Sequence, residues 1–277
     1  MKPARNSKLY LTDFTKVVKL YRSDPIDNAY LLYDLINYPE DTFLRFCTDW
    51  DYVLALIYRH ALWGGHVCYI HVNYIPNYEH ILEAVDFCLK DSTVNSIYIT
   101  CPVNVEHYIT DLCKSRNLVP KEKYRVYTMV LNVRKFRRFY DKVNVQRICN
   151  VYDICDILRE WRGSAPNIEN LRIRISQGER WYGIYLDSKL VSVASVYLRL
   201  PEVWIIGNVF TRPEYRGRGL AKAIVSYICE EALSNGALPV LHVFDNNPYF
   251  ESAYRAYVRV GFEVHDVRFG YALIRAV

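Results

Sequence analysis

Apolar residues in the second half of this chain recur with two clear periods. Between Val151 and Arg162 they fall at 151, 154, 155, 157, 158 and 161, the spacing of one helix face. Asn167 stands where it can cap a second, short helix over Ile168–Ser176. Trp181–Leu186 and Leu190–Leu200 read as strands joined by a turn at Asp187-Ser188-Lys189, and Val203–Thr211 as a third, mostly apolar strand. The next helix runs to about Ser234, with Leu220, Ile224, Tyr227, Ile228 and Leu233 as its buried stripe, and stops at Asn235-Gly236. Pro239–Asp245 is a strand. Asn247-Pro248 predicts another helix start, with Asn as cap and Pro at the first helical position. That helix buries Ala253, Ala256, Tyr257 and Val260 and ends at Gly261. Phe262–Ile274 follows as a final strand or strand pair.

The first half repeats this order in blurred form. Val67–Val72 is a strand, followed by Pro76 and a helix over His80–Lys90. A strand at Ser96–Thr100, a turn at Pro102, a helix over Val105–Ser115 and a strand at Tyr124–Leu131 come next. The basic stretch Arg134–Arg138 separates the two patterns and reads as a solvated linker rather than a nucleic-acid patch. The reading therefore divides the chain into a domain at 1–133, a linker at 134–143 and a domain at 144–277.

The most informative stretch is 209–222, where a strand passes through a loop with two glycines and two arginines straight into an amphipathic helix. Backbone N–H groups left unpaired at a helix N-terminus, where the helix dipole is positive, bind phosphate. Gly217 and Gly219 let a ligand approach the backbone, and Arg216 and Arg218 add charge. Two familiar phosphate loops do not fit: Lys222 stands where the dinucleotide fingerprint needs its third glycine or alanine, and Gly-Lys-Ser/Thr is absent.

The pattern Arg216-x-x-Gly219-x-Ala221, after a strand ending Val209-Phe210-Thr211, resembles the pyrophosphate loop of the GNAT superfamily of acyl-CoA N-acyltransferases. Ala253-x-x-x-Tyr257-x-x-x-Gly261-Phe262 resembles the family's helix-to-strand segment, and the resemblance spans about Asn144–Val277. It implies an α/β fold with helices on both faces of a splayed mixed sheet. The repeated order implies a tandem pair whose first copy is degenerate, since Asn73–Tyr78 contains no glycine. One departure is that Asn247 lies six residues before Ala253, where the family's asparagine usually lies three before. An extra helical turn would account for that and makes Tyr254 a rival to Tyr257.

The resemblance also implies chemistry. Acetyl-CoA would be held by the backbone of Val209, Phe210 and Thr211 at its acyl and pantetheine end, and by Arg216, Gly217, Arg218, Gly219, Leu220, Ala221 and Lys222 at its pyrophosphate, with Asn247 alongside. Tyr257, or Tyr254, would give a proton to the departing thiolate. Glu202, just before the splayed strand, is the expected base, with His242 and Asp245 as alternatives. The acceptor is an unidentified primary amine of a small molecule, amino acid or protein. A non-catalytic acyl-CoA-binding module needs the same loop and stays open. A nucleotide-binding oxidoreductase is disfavoured by the missing third glycine.

Bulk properties narrow the frame little. The chain has 277 residues, 51% of them hydrophobic, and a net charge of +5, too weak to argue for nucleic acid. No apolar run long enough to span a bilayer and no signal-peptide pattern stand out, so a cytoplasmic protein is expected. The eight cysteines form no C-x-x-C pair, so no metal site is expected. Twenty-five tyrosines against two methionines, with few glutamines, lean toward a thermophilic source, in which an intracellular disulfide is conceivable.

Overall fold

The computed structural model describes residues 11–39, 42–46, 53–58, 67–72, 78–91, 94 and 96–275. The first half runs α1 (Leu11–Ser23), α2 (Ala29–Asn37), β1 (Thr42–Phe46), β2 (Val53–Tyr58), β3 (Val67–Val72), α3 (Tyr78–Leu89), β4 (Ser96–Pro102), α4 (Glu106–Arg116) and β5 (Leu118–Leu131). After a two-residue strand, β6 (Gln146–Arg147), the second half repeats that order. It runs α5 (Val151–Arg162), α6 (Ile168–Ser176), β7 (Arg180–Leu186), β8 (Lys189–Arg199), β9 (Val203–Thr211), α7 (Leu220–Ser234), β10 (Leu238–Phe244), α8 (Phe250–Val260) and β11 (Phe262–Arg275). The sequence pattern missed α1, α2, β1 and β2. Pro76 and the glycine-free loop, except Tyr78, lie outside the described residues.

Local chemistry explains most boundaries. Asn150 and Asn167 cap α5 and α6, their Oδ1 atoms accepting from Tyr152 N and Asn170 N, each at 3.0 Å. Such a cap contributes about 1 kcal/mol. Gly163, Gly236 and Gly261 end helices at positive φ. The Asn247-Pro248 expectation is corrected: Asn247 Oδ1 accepts from Tyr249 N at 2.9 Å in a turn, and α8 begins only at Phe250, with no extra helical turn.

The eleven strands among the described residues form one mixed sheet in the order β1-β2-β3-β4-β11-β5-β10-β9-β8-β7-β6. The sheet does not divide where the two runs of elements do. β5, from the first half, lies antiparallel between β11 and β10, and β11, from the second half, lies antiparallel between β4 and β5. Each half thus lends its last strand to the other, and the order reads nearly the same from either end, pivoting on β5 and β11.

Helices cover both faces. α7 lies on one face of β7–β10, its Ala223, Ser226, Cys229 and Ala232 small enough for close approach, in a core with Tyr182, Val191, Trp204, Ile206 and Leu241. On the opposite face α5 and α6 pack on Trp181, Leu190, Val193 and Phe210. Beside them, α1 and α2 pack on Leu198, Leu200, Val203, Ile205 and Val240, all second-half residues. The first half's other core lies under α3 and α4, where Cys68 and Cys88 form a disulfide.

The basic stretch after β5 is not a solvated tether. Phe136, Phe139, Tyr140 and Val143 pack on the α7 core, Phe139 N donates to Ser226 Oγ at 3.0 Å, and Arg138 and Lys135 pair with Glu230 and Glu263. Among the described residues no helix is long and apolar enough to cross a membrane.

Strand exchange predicts that residues 144–277 expressed alone, with β10 and β11 stripped of β5, are aggregated or unfolded by size exclusion and circular dichroism. Co-expression with residues 1–143 is expected to restore a soluble, folded complex.

Candidate active site

Parallel strands β9 and β10 pair only from Val203/Leu238 to Ile206/Leu241, yet β9 continues to Thr211 and β10 to Phe244. Past Ile206 the strands part and the inner edge of β9 has no sheet partner. Two register shifts between β8 and β9 shape the opening. In the second, Asn208 and Val209 together face Ala194, with Asn208 at φ 53°. Such bulges turn a strand aside and re-aim its groups. The Asn208 side chain fixes the turn, Nδ2 donating to Ser195 Oγ and Oδ1 accepting from Arg162 Nη2, both at 2.7 Å.

The buried Arg212 anchors the outer end of β9. Its Nε donates to Leu190 O at 2.8 Å and its Nη2 to Asp156 at 2.7 Å, with Glu160 taking the remaining nitrogen. The chain then turns through Arg216–Gly219 into α7. Gly217 and Gly219 hold φ of 78° and 81°, where side chains are strained. A Cβ on Gly217 would meet nothing within 4 Å, and one on Gly219 only Lys222 Cε at 3.7 Å, so the loop backbone is open to a ligand. α7 has no side-chain cap, and its first backbone bond runs from Ala223 N to Gly219 O. The N–H groups of Leu220, Ala221 and Lys222 are therefore available to an anion.

Gap and loop open into one cleft of about 980 Å³. Val209, Phe210, Thr211, Arg216, Gly217, Gly219, Leu220, Ala221, Lys222, Asn247 and Tyr257 all line it. Arg218 does not; it lines a neighbouring hollow of about 320 Å³ with Phe139, Lys142 and Lys222. Glu202 is corrected as a base candidate. It sits at the opposite end of β9, about 23 Å of strand from Val209, where Tyr21 Oη donates to its Oε2 at 2.6 Å. Asp245 also lies outside the cleft lining, its Oδ1 accepting from Arg125 N at 2.7 Å.

Tyr257 is 8% exposed, and burial pushes its pKa well up, so its hydroxyl keeps its proton. Its ring meets Phe262 edge-on. Tyr254 does not line the cleft; it packs against Tyr127 and Phe250. His242 lines the cleft from β10. Its Nδ1 shares a hydrogen bond with Thr128 Oγ1 at 3.2 Å, its Nε2 has no partner, and burial lowers its pKa to about 4. Among the lining residues it is the one His, Asp or Glu side chain.

The first half has no such opening among the described residues. β3 and β4 stay paired from Val67/Ser96 to His71/Thr100, and Arg268 fills the end, donating to Val72 O at 2.9 Å and to Asp27 at 2.6 Å. His71 lies half-buried beside it, and desolvation and the Arg268 charge lower its pKa to about 3.

Residues 148–262 match the family model described as the acetyltransferase (GNAT) family. No curated protein matches the chain. Among solved structures, the chain is similar to a Drosophila protein at 12% identity and TM-score 0.72, with 97% of this chain and 98% of that one covered. It is similar to a tandem GNAT protein from the clavulanic acid biosynthesis pathway at 14% identity and TM-score 0.60, covering 97% of each. A GCN5-related N-acetyltransferase from Kribbella flavida, at 14% identity and TM-score 0.60, covers 90% of this chain and 95% of that one. Residues 148–262 thus carry the match to the GNAT acetyltransferase family, and the fold of the whole chain is like that of a tandem GNAT protein.

Two outcomes follow from this geometry. Gly219→Val is expected to abolish CoA binding in calorimetry while costing about 1–3 kcal/mol of stability for its positive φ. Gly236→Val, equally strained at φ 78° but away from the cleft, is expected to lose similar stability and keep CoA binding. Separately, His71 and His242 take up protons near pH 6.5 when unfolded but only near 3 and 4 when folded. The unfolded state binds more protons between those values, so stability is expected to be full above pH 6.5 and to fall as pH drops below it. Denaturant unfolding at stepped pH measures this, and His242→Asn should flatten the slope.

Proposed function

We propose that the protein is an N-acetyltransferase that moves an acetyl group from acetyl-CoA to a primary amine, both bound at once in the β9/β10 cleft. The observation that carries this is the parting of two parallel strands directly beside an uncapped, glycine-flanked helix N-terminus. A flexible anionic substrate with an amide arm needs both features together. The residues present fit it: the open backbone at Gly217 and Gly219 and the free N–H groups of Leu220–Lys222 suit a pyrophosphate, and the unpaired edge of Val209–Thr211 suits the pantetheine amides. Arg216 and Lys222 supply charge, with Asn247 at the rim.

Acetyl-CoA supplies the acyl group as an activated thioester. Val209–Thr211 would hold and polarise its carbonyl through a backbone N–H. Tyr257, whose proton burial retains, would protonate the departing sulfur. His242 is neutral at working pH, and its unpartnered Nε2 would accept the proton that the amine releases, directly or through water. The lack of a carboxylate among the lining residues favours one second reading, an acyl-CoA-binding module without turnover.

Tyr257→Phe is expected to lower kcat roughly 100-fold, the low end for general-acid catalysis with a fair leaving group. Acetyl-CoA affinity by calorimetry should stay near wild type, with a single site per chain, and Tyr254→Phe should keep wild-type rates. Tight acetyl-CoA binding without acetylation of any amine would favour the binding module.

A further inference from the structure

Resting on the acetyl-transfer reading of the cleft, we propose that the acceptor is a small amine bearing a carboxylate, and that Arg162 binds that carboxylate. The cleft lining holds cations at both ends and no Asp or Glu. Arg216 and Lys222 belong to the phosphate loop beside α7. Arg162 and Arg174 come from α5 and α6, which cover the opposite face of the sheet, where a second substrate would reach the gap from the other side.

These two arginines differ. Arg174 is paired with the buried Glu179 at 3.4 Å. Arg162 makes no ion pair among the described residues. One of its five N–H donors goes to Asn208 Oδ1 at 2.7 Å, and its guanidinium lies 4.8 Å from the Trp161 ring. The hydrogen bond ties the guanidinium to the bulge, one residue before Val209, where the acyl carbonyl would lie. The remaining donors have no acceptor among the described residues. Burial, then the Arg174 charge, depress its pKa, partly offset by Glu179. A planar guanidinium so held fits a carboxylate in two-point contact.

The same face limits acceptor size. Tyr197 lines the cleft with its ring laid over Gly207, where a Cβ would come within 2.5 Å of it. Its hydroxyl hydrogen-bonds that of Tyr30 on α2, and the Tyr30 ring lies 5.7 Å from His242. A first-half helix thus backs the Tyr197 wall beside the base, and a short acceptor would sit against that wall.

The test compares acetylation of alanine, alaninamide and an alanine-initiated peptide by the full chain, with acetyl-CoA affinity measured separately by calorimetry. The amide's amine is less basic, so more of it is free at neutral pH, and a preference for the acid runs against intrinsic reactivity. The expected kcat/KM for alanine exceeds that for either competitor about tenfold or more. Arg162→Gln should lower the alanine value about 10- to 100-fold, mainly through KM, and lower the alaninamide value and acetyl-CoA affinity far less, since loss of the Asn208 contact alone would weaken all substrates alike. Arg162→Lys should recover part of the loss. Equal or better use of the amide or the peptide, an equal effect of Arg162→Gln on all acceptors, or no turnover of alanine with acetyl-CoA binding intact would overturn the proposal. Absence of acetyl-CoA binding would overturn the underlying function as well.

Discussion

The architecture of the second half depends on one constraint: β9 and β10 must start paired and then separate. A parallel pair that parts inside a sheet leaves peptide groups without partners, a costly state unless the surroundings impose it. Bulges on the β8 side rotate β9 away, Asn208 locks the turn through Arg162 and Ser195, and Arg212 pins the far end to β8 and α5. What remains is a strand edge with amide groups beside a helix terminus with amide groups. The site is thus built mostly of backbone, and side chains serve to hold that backbone open.

The first half shows the same elements without that strain. Its parallel pair stays zipped to within a residue of the end of β3, and Arg268, a residue of the second half, occupies the position where a gap would begin. The charge is compensated by Asp27 and Asp266. This half also supports the other. It supplies β5 to the second half's sheet, α1 and α2 to the far face of β8–β10, and Tyr30 as the support behind Tyr197 of the cleft wall.

The sequence disclosed local features and hid relational ones. α5 and α6 were legible to the residue because a capping asparagine precedes each apolar stripe. The start of α8 was not, because Asn247 uses the same side-chain geometry to cap a turn as it would a helix. Glu202 looked close to the chemistry because it adjoins the splayed strand, yet strand direction puts it at the wrong end. His242 stood only as an alternative base, and its Thr128 partner comes from a strand 114 residues away. The exchange of β5 and β11 left no mark in the sequence: alternation of apolar residues tells which face is buried, not which strand lies alongside. Arg162, ending α5, reads as an ordinary helix-terminal cation until its contact with Asn208 is known.

The exchanged strands also bear on how the chain reaches this fold. β4 has no partner on its inner edge until β11 arrives, so Ile97 waits for Leu273 across the whole second half of the chain. Contacts between distant segments form slowly because the intervening loop must be closed before they repay its entropy. During that delay β4 and β5 both present open edges of the kind that recruit neighbouring molecules. The arrangement that makes the finished sheet continuous therefore makes its assembly nearly all-or-none, with neither site nor scaffold complete until the last strand is in place.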